Sequence, residues 1–250
     1  MAARAPSDPT RRAVLGGLAG AAAFAGMARA QGSRLVVFAA ASLKPALDEI
    51  AAAWDGETAL SYGGSGALAR QVAAGAPADV VLLAATDWME WLAGQGVLEG
   101  APVAVARNRL VMAGPPGAEP LALEAPAILR RLGRGRLAMG DPMSVPAGRY
   151  AQQALETLGL WEALAPRTLY TEDVRAALAY LVQGAQPLGM VYGSDVTGIE
   201  VAVVADIPPA SHAPITYPGA VVAGADPAAR AFLAHVAGCG AVFAAHGFHP

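Results

Sequence analysis

From Arg34 onward, short runs of β-branched and other apolar residues alternate with stretches in which apolar positions recur every three or four residues. The first pattern suits strands buried on both faces, and the second suits helices that turn one stripe toward a core. The chain therefore predicts α/β layering around parallel strands. Arg34-Leu35-Val36-Val37-Phe38-Ala39 reads as a buried first strand. Further strands are expected at 78–83, 109–113, 135–139, 167–170, 188–192 and 200–204, with helices filling many of the gaps. Two sheets accommodate them more naturally than one. The clearest helical stripes are Tyr150, Ala154, Leu155 and Leu158, ending at Gly159, and Val174, Ala177, Leu178 and Leu181, ending before Gly184.

The pattern is interrupted twice. Ala113-Gly114-Pro115-Pro116-Gly117 breaks it just after Met112, and Tyr217-Pro218-Gly219 breaks it before a last apolar stretch. The expected organisation is a first lobe over residues 31–111, a second over 112–218, and a return to the first over 219–250. Two crossings between lobes would permit hinge closure on a ligand.

Residues 1–30 follow a different rule. Thr10-Arg11-Arg12-Ala13-Val14-Leu15 leads into a Gly/Ala-rich apolar run from Val14 to Met27, and Ala28-Arg29-Ala30 places small residues about a cleavage point. The run falls short of the about 20 residues that a membrane span needs. It reads as a twin-arginine-like export signal cut after Ala30, which sends the mature chain to the periplasm. Of 17 basic and 20 acidic residues in the whole chain, this segment carries Arg4, Arg11, Arg12, Arg29 and Asp8, so the mature part keeps 13 and 19, a net charge of −6. So acidic a protein lacks the positive footprint of a nucleic-acid binder. Any bound anion must be held by local donors. Cys239 is the sole cysteine, which excludes an intrachain disulfide. His212, His235, His246 and His249 lack the paired spacing of a metal site; they are expected to face solvent or cap helices, with no metal held by protein ligands.

Four places then stand out, because there a strand or loop delivers a small or hydroxyl residue to the start of a helix, where backbone N–H groups have no intrahelical acceptor. Ser42 in Ala41-Ser42-Leu43-Lys44-Pro45 is a natural N-cap, with Pro45 tolerated in the first turn. In Gly63-Gly64-Ser65-Gly66 the glycines let the backbone approach a ligand closely, and Ser65 offers hydroxyl and N–H donors. Val145-Pro146-Ala147-Gly148 and Thr171-Glu172-Asp173-Val174 open the two striped helices, where Ala147 and Val174 can offer only backbone N–H. Any one such start is ordinarily a cap or a turn and nothing more. Several converging ones gather unpaired donors and partial positive charge, enough to hold an anion without Arg or Lys. Asp173 is expected to cap its helix and face away from such an anion, since like charges repel.

In order along the chain, Phe38-Ala39-Ala40-Ala41-Ser42-Leu43, Ala67-Leu68-Ala69-Arg70-Gln71 through Gly75-Ala76-Pro77-Ala78-Asp79, Gly140-Asp141-Pro142 with Val145-Pro146-Ala147-Gly148, Glu172-Asp173-Val174-Arg175, and Val191-Tyr192-Gly193-Ser194-Asp195 resemble the periplasmic molybdate-binding proteins of ABC importers. The resemblance covers nearly the whole mature chain. It implies an α/β type II periplasmic-binding-protein fold: two lobes, each a central sheet flanked by helices, with the ligand cleft between them. It implies no enzymatic activity and no cofactor. The implied ligand is molybdate, and with it tungstate, held as an oxyanion by Ser42, Ser65, Ala147, Val174 and Tyr192. The implied partners are that small oxyanion and the membrane permease of an ABC importer, with no nucleic acid, and the chain is expected to be a monomer. Gly63-Gly64-Ser65-Gly66 departs from relatives that carry more serines, leaving Ser65 as the one side-chain donor in that loop.

Molybdate near neutral pH is a dianion with acceptor oxygens and no proton, which matches a pocket of donors. Monohydrogen phosphate would leave its proton unpaired there, at a cost of about 1–3 kcal/mol. Sulfate is also acceptor-only, so size alone separates it from molybdate, and the preference against it comes from the resemblance. Two enzyme readings compete. Gly64-x-Gly66-x-x-Ala69 followed by Asp87 fits the relaxed dinucleotide fingerprint. Ser65 sits in a glycine-rich stretch, but one without the second glycine of G-x-S-x-G. The remaining rival is a binding protein for another tetrahedral oxyanion such as sulfate.

Overall fold

The structure, a computed structural model, describes residues 34–249. The export signal expected at 1–30 lies outside the described residues. The strands are β1 (Leu35–Ala40), β2 (Thr58–Gly63), β3 (Val80–Leu82), β4 (Leu98–Asn108), β5 (Leu110–Gly114), β6 (Leu137–Gly140), β7 (Thr168–Thr171), β8 (Leu188–Tyr192), β9 (Ala202–Asp206) and β10 (Ile215–Val222). The helices are α1 (Lys44–Ala52), α2 (Ser65–Ala73), α3 (Thr86–Gly94), α4 (Ala125–Leu132), α5 (Pro146–Thr157), α6 (Trp161–Leu164), α7 (Val174–Val182), α8 (Ala228–Gly238) and α9 (Gly240–Ala245).

The strands form two five-stranded sheets, in the orders β2-β1-β3-β10-β4 and β7-β6-β8-β5-β9. In the first, β1 runs parallel to β2 and β3, while β10 runs antiparallel to β3 and β4. In the second, β6 runs parallel to β7 and β8, while β5 runs antiparallel to β8 and β9. The two sheets thus repeat one plan. In each, the antiparallel fourth strand is the one that the chain inserts on arriving from the other sheet: β5 after the first crossing and β10 after the second.

The breaks at Met112 and at Tyr217-Pro218-Gly219 fall inside β5 and β10, and the chain changes sheet a little earlier, between Asn108 and Leu110 and between Asp206 and Ile215. Pro218 is tolerated within a strand because the register against β4 shifts between Tyr217 and Pro218, an irregularity at which a missing N–H breaks no ladder bond. β4 has no counterpart among the expected strands. It is an edge strand whose first seven residues are partly or fully exposed, so burial imposes no period on its sequence, and Gly100 and Pro102 sit where only an edge admits them.

The helical stripes behave as their spacing predicts except at Leu158, which caps the end of α5 half-buried. α7 buries Val174, Ala177, Leu178 and Leu181, and α5 buries Tyr150, Ala151, Ala154 and Leu155. Each large aliphatic residue so buried contributes about 1.5–3 kcal/mol. Gly189 in β8 lets α7 lie close, since a Cβ there would stand 3.0 Å from Leu181 Cδ1. Parallel strands put their carboxyl ends on one edge of a sheet, which is where ligands of open α/β sheets sit. The ends of β1, β2, β6, β7 and β8 lead to Ser42, Ser65, Ala147, Val174 and Tyr192 respectively.

Candidate functional site

β1 passes into a 3-10 turn, Ala41–Leu43, that continues as α1. Ser42 lies buried within this turn and caps neither it nor α1, which corrects the N-cap role expected of it. Its hydroxyl is drawn off to a distant partner, Tyr217 Oη, at 2.9 Å. Ser65 is the first residue of α2, and its Oγ accepts the Ala84 N–H at 2.9 Å, which leaves its own proton free to donate. Pro146 opens α5, so the Ala147 N–H that follows has no intrahelical acceptor. Asp173 caps α7 as expected, its Oδ1 accepting from Ala176 N–H at 2.8 Å, and Val174 then presents the first N–H of that helix. Tyr192 ends β8 with 1% of its surface exposed, and among the described residues its Oη has no hydrogen-bond partner.

All five residues line one small cleft. No Lys, Arg or His lines it. The donors available are the hydroxyls of Ser42, Ser65 and Tyr192 and the N–H groups at the starts of α2, α5 and α7. Burial pushes the Tyr192 and Tyr217 hydroxyls well above the ordinary tyrosine range, so both stay protonated and neutral. Such a wall suits a compact, acceptor-rich anion. Asp173 is also among the residues that line it, with its carboxylate held by the Ala176 N–H.

The glycine loop approaches protein as closely as it approaches the cavity. Gly66 N–H donates to Ser144 O at 3.0 Å. A Cβ on Gly66 would stand 2.6 Å from that oxygen and 2.6 Å from Trp88 Cζ2, and one on Gly64 would stand 2.6 Å from Glu172 O. Ser144 and Glu172 follow β6 and β7, so the loop touches the far side of the cleft at two carbonyls. This removes the dinucleotide reading, although β2 and α2 do supply strand, turn and helix. The second glycine, which that fingerprint needs close to a pyrophosphate, is packed against Ser144 O and the Trp88 ring. Against the hydrolase reading, no histidine among the described residues lines the cavity beside Ser65, whose Oγ instead accepts the Ala84 N–H.

Sequence reasoning missed Tyr217 and Asn108, which stand behind Ser42, because nothing in the sequence pairs residues so far apart. It also missed the ion pair of Asp87 on α3 with Arg149 on α5, whose guanidinium lies 5.6 Å from the Trp88 ring. His235 and His246 are half-buried: His235 lies against Ile50 O in the last turn of α1, and His246, the C-cap residue of α9, meets the Glu49 carboxylate, so both stand at helix ends.

The family model of the bacterial extracellular solute-binding proteins matches residues 35–249. The molybdate-binding protein ModA of Escherichia coli (strain K12) is 39% identical over 238 residues, which span 90% of this chain and 93% of the relative. The molybdate-binding protein ModA of Haemophilus influenzae is 35% identical over 221 residues, 84% and 87% of the two chains. Among solved structures, the periplasmic molybdate-binding protein of Azotobacter vinelandii superposes with a TM-score of 0.75 at 24% identity, covering 87% of this chain and 99% of that one. This last likeness bears on the fold, which is the two-lobed periplasmic-binding-protein fold with helices flanking two mixed sheets. Sequence kinship along 90% and 84% of the chain, joined to that fold, makes it a member of the bacterial extracellular solute-binding proteins, in the family of the molybdate-binding proteins of Escherichia coli and Haemophilus influenzae.

Proposed function

We propose that this chain captures molybdate outside the cytoplasm and passes it to the membrane permease of an ABC importer, with tungstate accepted by the same contacts. One observation carries the reading: Tyr192 Oη, buried and without a partner among the described residues, belongs to a residue lining a cavity whose other polar groups are chiefly donors at helix starts. A buried donor left unpaired costs about 1–3 kcal/mol, and an anion in the cavity removes that cost. The molybdate-binding relatives give the anion its identity.

The physics follows from the donor set. N–H groups at the starts of α2, α5 and α7 bring partial positive charge without a cation. Hydroxyls of Ser42, Ser65 and Tyr192 complete a shell that each oxygen of a fully deprotonated oxyanion can use. Monohydrogen phosphate brings a proton, and Ser65 Oγ meets it with a proton of its own because it already accepts from Ala84 N–H. We assign residues 34–108 and 215–249 to one lobe and 110–206 to the other; closing them about the two connections buries the anion and forms the surface that a permease reads. The protein works as a monomer at the periplasmic face of the membrane.

Calorimetric titration of the mature chain with molybdate, tungstate, sulfate and phosphate tests the reading. Tight binding of the first two, weak binding of sulfate and none of phosphate is expected. Sulfate binding tighter than molybdate would transfer the protein to the other oxyanion class, and silence with all four would end the proposal.

A further inference from the structure

Ser42 binds in a direction that two residues outside the cavity decide. Asn108 ends β4 where the chain leaves the first sheet, and its amide is oriented by two groups able only to donate: the N–H of Arg109 at 2.9 Å and the N–H of Ser194 at 3.4 Å both reach Oδ1. Its nitrogen therefore faces the other way and donates to Ser194 Oγ at 2.7 Å and to Tyr217 Oη at 3.2 Å. Tyr217 is 0% exposed. Its single proton cannot return to Asn108, whose facing atom is itself a donor. Among the described residues Ser42 Oγ, at 2.9 Å, is its one remaining partner. Ser42 accepts that proton's hydrogen bond, so its own proton is released toward the cavity it lines. The reverse arrangement would strand the phenolic proton in a buried place and turn a serine lone pair toward the ligand.

We infer that Asn108 and Tyr217 are positioning residues, a one-way chain of hydrogen bonds from Asn108 through Tyr217 to Ser42 that makes Ser42 a donor only and so selects oxyanions that carry no proton. The inference rests on the oxyanion reading of the cavity. Ser65 is given the same polarity by a single backbone group, Ala84 N–H. At Ser42 the task falls to side chains, which substitution can reverse. Burial also keeps Tyr217 protonated, as a relay of this polarity requires.

Titrations of wild type, Tyr217→Phe, Ser42→Ala and the double variant test it. Wild type comes first: no response to molybdate ends the oxyanion reading and this inference with it, whereas binding there separates the two. Tyr217→Phe is expected to weaken molybdate roughly fivefold to tenfold. Ser42→Ala weakens it further, and adding Tyr217→Phe to Ser42→Ala changes nothing more, because Tyr217 acts through Ser42. Tyr217→Phe also narrows the preference for molybdate over monohydrogen phosphate, since a released Ser42 can turn and accept a proton; simple loosening of the site would weaken both ions alike. Losses that multiply in the double variant, or a Tyr217→Phe affinity within about twofold of wild type, overturn the inference. Should thermal melts show Tyr217→Phe unfolded, Asn108→Asp takes its place. A carboxylate there draws the phenolic proton and reverses the chain, so its penalty on molybdate shrinks when Ser42 is already Ala. An equal penalty in both backgrounds overturns the inference.

Discussion

Tyr192 holds a buried phenolic proton with no partner among the described residues, in the lining of the cavity, and the residue-scale prediction follows from that. Tyr192→Phe keeps the ring and removes the donor. Hydrogen bonds to charged groups are worth about 1.5–3 kcal/mol, so molybdate affinity should fall roughly ten- to 150-fold with little change in thermal stability; an unchanged affinity by calorimetry removes Tyr192 from the site. Gly66 carries a steric prediction. A methyl group there meets Ser144 O, a backbone atom that cannot swing aside, and the Trp88 ring. Gly66→Ala should hold the two sides of the cleft apart and weaken molybdate by roughly tenfold or more, visible as a faster off-rate in stopped-flow displacement. At this scale the sequence was half legible. The small and hydroxyl residues at helix starts mark Ser42, Ser65, Ala147 and Val174, because the chemistry of a helix start is local. Asn108 and Tyr217 were invisible, because their role depends on a contact that only tertiary folding makes.

Among the elements, α7 shows what one-sided burial makes readable. Its stripe of Val174, Ala177, Leu178 and Leu181 is fixed by a sheet on one side, and its start by Asp173. β4 shows the opposite, an exposed edge whose composition answers to solvent. β10 was mistaken for a boundary because Pro218 and Gly219 usually punctuate, and only the register shift against β4 explains their presence in a strand. Asp173 yields the prediction at this scale, because it serves two opposed ends. It secures Ala176 N–H, yet it brings a negative charge near a site for a dianion, since the residue is among those lining the cavity. Asp173→Ala loses the cap and should destabilise the protein by about 1 kcal/mol. Asp173→Asn caps equally well and removes the charge, so stability should hold while molybdate binding tightens by roughly twofold to tenfold. Thermal melts and titrations of the two variants check both halves, and weaker binding by Asp173→Asn would mean that the carboxylate itself supports the site.

For the whole molecule, the informative group is Asp195, which joins folding to binding. It sits on the turn after β8, where its Oδ2 accepts the Tyr192 N–H at 3.1 Å. Its Oδ1 lies 3.9 Å from Arg175 Nη1, close enough for attraction but too far for a hydrogen bond, and has no other partner among the described residues. Burial raises its pKa to about 7, against the smaller opposing effects of the Tyr192 N–H and Arg175, while Asp173 pushes the same way as burial. Unfolded, the group titrates near pH 4. Between about pH 4 and about pH 7 the folded state therefore holds a proton that the unfolded chain has lost, and stability falls as pH rises through this window. In the ligand-free protein, Asp195→Asn should flatten that decline: melting temperatures close to wild type near about pH 5, and higher than wild type by about pH 8. Ionised Asp195 also adds negative charge behind Tyr192, on the side from which the dianion is held. Binding and protonation then favour each other, so molybdate affinity should decline as pH rises through about 7, with proton uptake on binding. Calorimetry in buffers of different ionisation enthalpy measures that uptake directly. Its disappearance in Asp195→Asn would assign it to this carboxyl, and its persistence there would place the titrating group elsewhere.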